Sequence, residues 1–437
     1  MSIPKAPDDL VNPIRKEIPR IARELFLRLE KEEPLPGVYA ALPDPRKPGN
    51  RHEDEPYSNF MLFPFDASKF AYFAIGDLHG DLRSFVRCAD AAIETVRRSA
   101  SPDRTVCLVV LGDLVDRGCE STECIAFLLR LALGMDNARR NVRILFVKGD
   151  HDVALHPTDA EVRTGVSNGA GSGGDRLADE LADPESWFTP LGALVRAFVR
   201  FLDGCPAAAW FDNGMLFAHG AVPHVDLQGR LGVDLSLWSP ACAKDFMWCR
   251  LHERAPKKIP NRGSSTCEIG YKDFGAFVDW LNEASTRCFP GGKPLGLYVH
   301  GHEHVSGGYK PFPAYPVPVH TLTSFSDPDA YGTPAVCRIL ELFQSDKGTI
   351  EVRVVEPDAM SGMPTPSTEN PPLPEPKTEK PIPEKKEPEP QPPPTLEPKP
   401  ASKPRLGASV FLFCKRLFSR IKSGAGVENG SDKEARE

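Results

Sequence analysis

Residues 141–153 read NVRILFVKGDHDV. An apolar run, broken only by Arg143, ends in a lysine and a glycine and then delivers Asp150, His151 and Asp152 in succession. A short apolar run closed by glycine reads as a buried strand. Two stretches upstream close the same way, KFAYFAIGD at 69–77 and RTVCLVVLGD at 104–113. Between the three lie DLRSFVRCADAAIETVRRS (81–99) and STECIAFLLRLALGM (121–135), both read as helices. Strand, helix, strand, helix, strand implies parallel pairing with helical crossovers. In such sheets ligands bind beyond the carboxyl ends of the strands. Asp77, Asp113 and Asp150 are therefore expected at one place.

The bulk composition sets the frame. The 437 residues are 41% hydrophobic and 26% charged, ordinary for a globular chain, with a net charge of -7. No basic excess points to nucleic acid as a partner. Eleven cysteines occur singly, none in a C-x-x-C pair, and several sit in apolar runs. They read as buried free thiols of a reducing compartment. The first twenty residues carry no apolar signal-peptide core, and no run of eighteen apolar residues exists, so no membrane-spanning helix is expected. The expected location is cytoplasmic, with peripheral membrane contact left open by the tail described next.

The 45 prolines crowd into residues 363–404, where Glu and Lys alternate and large apolar side chains are almost absent. Such a segment cannot bury enough surface to offset ordering entropy and is expected to be a disordered, extended linker. Beyond it, ASVFLFCKRLFSRIKS (408–423) puts Val410, Phe413, Cys414, Leu417, Phe418 and Ile421 on one side of a helical wheel and Lys415, Arg416, Arg420 and Lys422 on the other. That is a basic amphipathic helix, too short and charged to span a bilayer. Two docking sites suit it, an anionic membrane surface or a protein groove. At the other end, Ile21, Leu25, Phe26 and Leu29 share one face of a helix read from Pro19 to Lys31. The expected organisation is an N-terminal helix and extension (1–66), a catalytic domain (67–358), the Pro-rich linker (359–405), and the amphipathic helix with a polar tail (406–437). Within the catalytic domain, GVSNGAGSGG (165–174) reads as a flexible loop or lid. The segments from 208 onward read mostly as strands and loops: AAWFDNGMLFAHG, LGLYVHGHEH, VPVHTLTSFS and AVCRILELF.

The polar residues at strand ends form one set. They are Asp77 and His79 in GDLHGD; Asp113, Asp116 and Arg117 in GDLVDRG; Asp150 and His151 in GDHD; His219 in AHG; and His302 and His304 in HGHEH. Carboxylates and imidazoles in this mixture suit divalent Mn, Fe or Zn. The carboxylates are too many for one ion with an open position. A pair of ions sharing a bridging Asp, ~3.5–4 Å apart, fits better and suits displacement at phosphorus.

The order of these motifs resembles the calcineurin-like metallophosphoesterase superfamily, and within it the phosphoprotein phosphatase branch of Ser/Thr phosphatases. GDLVDRGCESTECIAFLL (112–129), FLDGCPAAAWFDNGMLFAHG (201–220), HGHEHVSGGY (300–309) and LTSFSDPDAY (322–331) carry the resemblance, which spans roughly residues 71 to 355. It implies an α/β fold of two mixed β-sheets packed as a sandwich flanked by helices. It also implies two divalent metal ions, Mn²⁺ most readily in vitro, with Fe or Zn as alternatives. Asp77, His79 and Asp113 would hold the first ion. Asp113, Asp150, His219 and His302 would hold the second, and His304 would add a ligand to the first. His151 would be the general acid, oriented by Asp116. Arg117 and Arg250 would clamp phosphate. The implied reaction is hydrolysis of phosphomonoesters on phosphoproteins by direct attack of a metal-bridging hydroxide. Cleavage of dinucleoside polyphosphates or small phosphodiesters is the alternative, and a non-catalytic tethered scaffold a more distant one.

Three positions depart from the family pattern. Asp150 stands where the family has Asn, Asp152 where it has Glu, and His304 where the phosphoprotein phosphatases have an apolar residue. Asp152 reads as structural, holding its loop. His156, His224, His252 and His320 have no motif context and read as structural or exposed. Tyr331 reads as a neighbour of the site.

Overall fold

The computed structural model describes residues 8–42, 60–155, 177, 189–224, 240–260, 266–288, 291–326, 336–345 and 347–357. The Gly-rich loop at 165–174, His156, Tyr331, the Pro-rich linker and the amphipathic segment 408–423 lie outside the described residues.

The three runs that open the chain's chemistry form β2 (Phe70–Ile75), β3 (Thr105–Val110) and β4 (Val142–Phe146). They pair in parallel, β2 with β3 and β3 with β4, across the crossover helices α2 (Leu82–Arg98) and α3 (Ser121–Ala132). Asp81 caps α2 by accepting from the Ser84 N–H at 2.9 Å. Antiparallel β13 (Ile339–Gln344) and β14 (Ile350–Val355) complete a five-stranded sheet in the order β14-β13-β2-β3-β4. The second sheet has six strands in the order β1-β5-β6-β10-β12-β11. These are β1 (Phe60–Phe63), β5 (Ala208–Phe211), β6 (Met215–Ala218), β10 (Leu297–His300), β11 (Tyr309–Pro311) and β12 (Val319–Leu322).

Period-two alternation explains why both faces of the strands are apolar. Tyr72, Ala74, Cys107, Val109 and Leu145 face inward and pack on Ala209, Phe211, Phe217, Val299 and Leu322 of the second sheet. The alternate residues Ala71, Phe73, Ile75, Val106, Leu108 and Val110 face outward onto the helices. The two sheets thus form the expected sandwich. Helices α1 (Asp8–Glu30), α2, α3 and α5 (Pro190–Asp203) cover the five-stranded sheet; α6 (Pro240–Trp248) and α7 (Tyr271–Cys288) cover the other. The short helix α4 (Asp150–Val153) begins at the end of β4's loop.

One expectation needs correction. The N-terminal helix begins at Asp8, not Pro19, and carries Pro13 and Pro19 inside it. Val11, Ile14, Ile18, Ile21 and Leu25, spaced three and four apart, are buried in the core shared with α3 and α5. Burying five such side chains at about 1.5–3 kcal/mol each outweighs two prolines at about 3 kcal/mol each. The stretches read as strands from 208 onward hold β5, β6, β10, β12 and β13, and helices that the reading does not name stand at 190–203, 240–248 and 271–288. In α7, Phe274, Phe277, Val278 and Leu281 recur at helical spacing and are buried on the second sheet. In α5, Thr189 caps the N-terminus and Gly204 follows the last residue. A small third sheet, β7 (Arg250–Leu251), β8 (Ile259–Pro260) and β9 (Cys267–Ile269), has the order β7-β9-β8. Among the described residues no helix is long and apolar enough to cross a membrane.

Candidate active site

The carboxyl ends of β2, β3, β4, β6 and β10 point to one place. Parallel pairing of β6 with β10 sets His300 opposite Ala218, so His219 and Gly301 emerge side by side. A single parallel bridge between Asp77 and Thr323 joins the ends of the two sheets. Six non-glycine residues among those described have positive φ, and five are site residues: His79 (42°), Asp113 (50°), Asp116 (75°), Arg117 (69°) and His302 (64°). That conformation costs roughly 1–2 kcal/mol each, so the fold's local strain is concentrated where the polar residues converge.

The glycines ahead of Asp113 and Asp150 set the contact between two loops. Gly112 has φ +87°, and a Cβ there would lie 2.4 Å from the Gly149 nitrogen. A Cβ on Gly149 would lie 2.2 Å from the Asp113 nitrogen. Both glycines let the loops after β3 and β4 pack backbone to backbone, and that contact sets the spacing of Asp113 and Asp150.

Asp77, Asp113 and Asp150 are 0%, 2% and 5% exposed, so three carboxylates share a dry cluster. Ligand atoms of Asp113, Asp150, His219 and His302 lie within 4.8 Å of one another. The same holds for Asp77, His79 and His304, and for His79, Asp113 and His151. His219 Nδ1 faces the Leu111 carbonyl at 2.7 Å and His79 Nδ1 the Val115 carbonyl at 3.1 Å. Donation from these nitrogens turns each Nε2 into the cluster. His219 Nε2 then stands 2.9 Å from Asp150 Oδ1 and 3.2 Å from Asp113 Oδ2. His302 Nδ1 stands 3.2 Å from the same Asp150 oxygen.

This geometry is a test of fit for metal ions. A neutral His219 would face two carboxylate oxygens lone pair to lone pair. Only positive charge among those atoms, a proton or a cation, makes the arrangement favourable. Asp77 Oδ2 is buried with no hydrogen-bond partner, while Oδ1 accepts from the His302 N–H at 3.0 Å. Burial, ahead of the nearby Asp113 and Asp150 charges, pushes Asp77 up to about 7, while burial pulls His79 down to about 3. A hard–borderline N/O donor set with an orphaned buried oxygen fits divalent cations, and the Asp113–Asp150–His219–His302 and Asp77–His79–His304 groups, with Asp113 also close to His79, fit a pair.

Beside the cluster, His151 Nδ1 is hydrogen-bonded to Asp116, and its backbone N–H donates to Asp113 Oδ1 at 3.0 Å. Arg117 Nη2 lies 3.2 Å from His151 Nε2. Burial alone would depress His151, but Asp113, Asp150 and Asp116 outweigh it and push it up to about 9. Arg250 opens β7 and donates from Nη1 to the His302 carbonyl at 2.6 Å and to Glu303 at 3.2 Å. Every described residue of the expected set is therefore in or beside one cluster; His304 lies at its exposed mouth. Asp152 holds the loop, accepting from the N–H groups of Asp113, Leu114 and Gly149. Motif reading passes over two neighbours. Glu303 bonds Arg250, and its place between His302 and His304 was the signal. Phe325, within LTSFSDPDAY, packs on His79 and His304, although only Tyr331 of that stretch is read as a site neighbour from sequence.

The calcineurin-like phosphoesterase family model matches residues 71–306. No curated protein matches the chain by sequence. Among solved structures, the chain is similar to a protein serine/threonine phosphatase from Saccharomyces cerevisiae, described as having similarity to human phosphatase PP5 (15% identity, 84% of this chain and 92% of that one, TM-score 0.43). It is also similar to a putative diadenosine tetraphosphatase (17%, 68% and 98%, TM-score 0.33). A cold-active protein-tyrosine phosphatase of a psychrophile Shewanella species is a third (13%, 68% and 83%, TM-score 0.31). With the family model covering more than half of its length, the chain belongs to the calcineurin-like phosphoesterase family.

Proposed function

We propose that the chain hydrolyses phosphomonoesters on phosphoproteins, with His151 as the proton donor and Arg117 and Arg250 as phosphate clamps. The observation that carries this reading is the file Asp116–His151–Arg117 laid against Asp113. Asp77, His79, Asp113, Asp150, His219, His302 and His304 are the residues that would hold two divalent cations. Such cations acidify water and offset negative charge on phosphoryl oxygens.

The protein's own groups supply the rest. Arg117's planar guanidinium matches two phosphate oxygens. In taking them it moves off His151 Nε2, from which its Nη2 stands 3.2 Å. That nitrogen is then free to carry a proton to the departing alkoxide. Asp116 on Nδ1 fixes the ring and favours its protonated form. Neutralising the neighbouring carboxylates brings His151 down from about 9 toward neutrality, the range in which a proton donor works best. Protein substrates are favoured by the likeness of residues 71 to 355 to the Ser/Thr branch.

The test is His151→Asn with two leaving groups. A phosphoserine peptide leaves as an alkoxide that needs a proton; p-nitrophenyl phosphate does not. We expect a loss of ~10²–10⁴ in kcat on the peptide and a much smaller one on the aryl ester. Equal losses on both would remove His151 as proton donor.

A further inference from the structure

The small third sheet carries Arg250 into the site, and it also carries two thiols. Cys249 and Cys267 have their Sγ atoms 3.6 Å apart. The register explains why: β7 and β9 run parallel with Arg250 opposite Glu268, so the residues one step earlier face each other. Strands spaced about 4.8 Å apart hold such a pair within the Cα separation a disulfide accepts. Closing the sulfurs to about 2.05 Å requires a local shift and no rearrangement of the fold.

We propose that Cys249 and Cys267 are a site of reversible oxidative modification, a disulfide that repositions Arg250 and so governs phosphate binding. The second half of this proposal rests on the reading of Arg250 as a phosphate clamp; the first half does not.

The two sulfurs are suited to different roles. Cys267 is partly exposed and Cys249 is buried. The Cys249 thiol's hydrogen bond, against burial and with help from Lys258, holds Cys267 below the ordinary thiol range. The same partner and burial raise Cys249. Cys267, the more accessible and more acidic of the two, is the thiol that meets the oxidant, and Cys249 is the resolving thiol. With a peroxide as oxidant the chemistry balances. The Cys267 thiolate attacks one peroxide oxygen, the O–O bond breaks, and a sulfenic acid and one water form. Cys249 sulfur then attacks the sulfenic sulfur, the S–O bond breaks, and a second water leaves. Two thiols have lost two hydrogens, and hydrogen peroxide has become two waters.

The coupling to the site runs through the backbone. Arg250 follows Cys249 directly and bonds the His302 carbonyl. The Cys249 carbonyl accepts from the Ala221 N–H at 2.7 Å, two residues past His219. Drawing Cys249 toward β9 therefore pulls on the loops that carry both His219 and His302. A second close pair, Cys88 and Cys337 at 3.3 Å, has no such connection and is 0% and 2% exposed, sealed from an oxidant.

The experiment treats the full-length Mn²⁺-loaded protein with hydrogen peroxide, alkylates remaining thiols, and maps peptides by mass spectrometry. We expect a peptide linking Cys249 to Cys267 with the loss of two hydrogens. KM for p-nitrophenyl phosphate rises about tenfold, as a displaced clamp implies, and dithiothreitol reverses it. Cys267→Ser and Cys267→Ala keep the untreated activity and lose the response. Absence of the linked peptide while the partly exposed Cys119 is oxidised overturns the site, whether or not the protein hydrolyses phosphate esters. A linked peptide with unchanged KM, or peroxide sensitivity persisting in both variants, overturns the control of Arg250.

Discussion

Asp152 accepts the backbone N–H of Asp113 at 2.8 Å, so one buried carboxylate sets the position of another. Its other bonds, to the N–H groups of Leu114 at 2.9 Å and Gly149 at 3.0 Å, lock the loops after β3 and β4 together. Three donors converge on a side chain that is 0% exposed. Asp152→Asn would turn an amide N–H₂ toward these donors. We expect a loss of about 2–4 kcal/mol of stability. Thermal unfolding reads the loss. Metal content after dialysis should fall with it, because Asp113 is displaced; normal stability and metal content would show that the loops hold without this carboxylate.

Glu303 should behave as a positioning residue for Arg250. Its carboxylate and the His302 carbonyl together fix the guanidinium. In Glu303→Gln the charge-assisted bond is weakened while the shape remains. We expect KM for p-nitrophenyl phosphate to rise roughly threefold to tenfold with kcat within about twofold. Arg250→Ala should raise KM further, and the double variant should add little to it. Additive effects would separate the two residues.

Asp150 is the carboxylate that replaces the family's Asn. It adds negative charge among atoms that His219 and His302 approach at 2.9 and 3.2 Å. Asp150→Asn removes that charge. Metal should then be lost to a chelator at lower concentration, and the activity optimum should move to lower pH, since a more positive site favours ionisation of its nucleophile. Chelator titrations and pH–rate profiles of the two proteins check this; superimposable curves would make Asp150 a neutral exchange.

His320 supplies a pH-dependent stability term away from the metal ligands. It is 9% exposed in β12, and burial pulls it down to about 4, with its Nδ1 2.9 Å from the Tyr309 hydroxyl. Between about pH 6.5 and 4 the unfolded chain takes up a proton that the folded chain refuses. Stability is therefore full above 6.5 and declines as pH falls toward 4, by an amount on the order of 3 kcal/mol. In His320→Gln that part of the decline should vanish, as read by urea unfolding at several pH values. An unchanged slope would place the acid sensitivity elsewhere.

Much of the site was legible because its residues sit at strand ends, where a period-two apolar run stops at Gly-Asp. Asp77, Asp113 and Asp150 share that signature, and parallel pairing of β2, β3 and β4 brings their ends together. His79 and His151 follow β2 and β4 of the same sheet, whereas His219, His302 and His304 come from the other. The meeting of these last three with the aspartates depends on the packing of two sheets; their place at the ends of strand-like runs put them in one set, and their roles were read through resemblance. The start of α1 was illegible for a different reason. Pro13 and Pro19 argue locally against a helix interior, and only burial of Val11, Ile14 and Ile18 against α3 and α5 overrides them. Glu303 and the Cys249–Cys267 pair depend on three short strands that carry almost no periodic signal.

The central claim is a pair of metal ions joined through Asp113. The most direct test is the number of Mn²⁺ ions bound per chain after stripping and restoration, measured by mass spectrometry for the natural protein and for Asp113→Asn. We expect about two per chain, falling to one or fewer in the variant. A natural protein that binds none, or a variant that still holds both, would contradict the shared-ligand site.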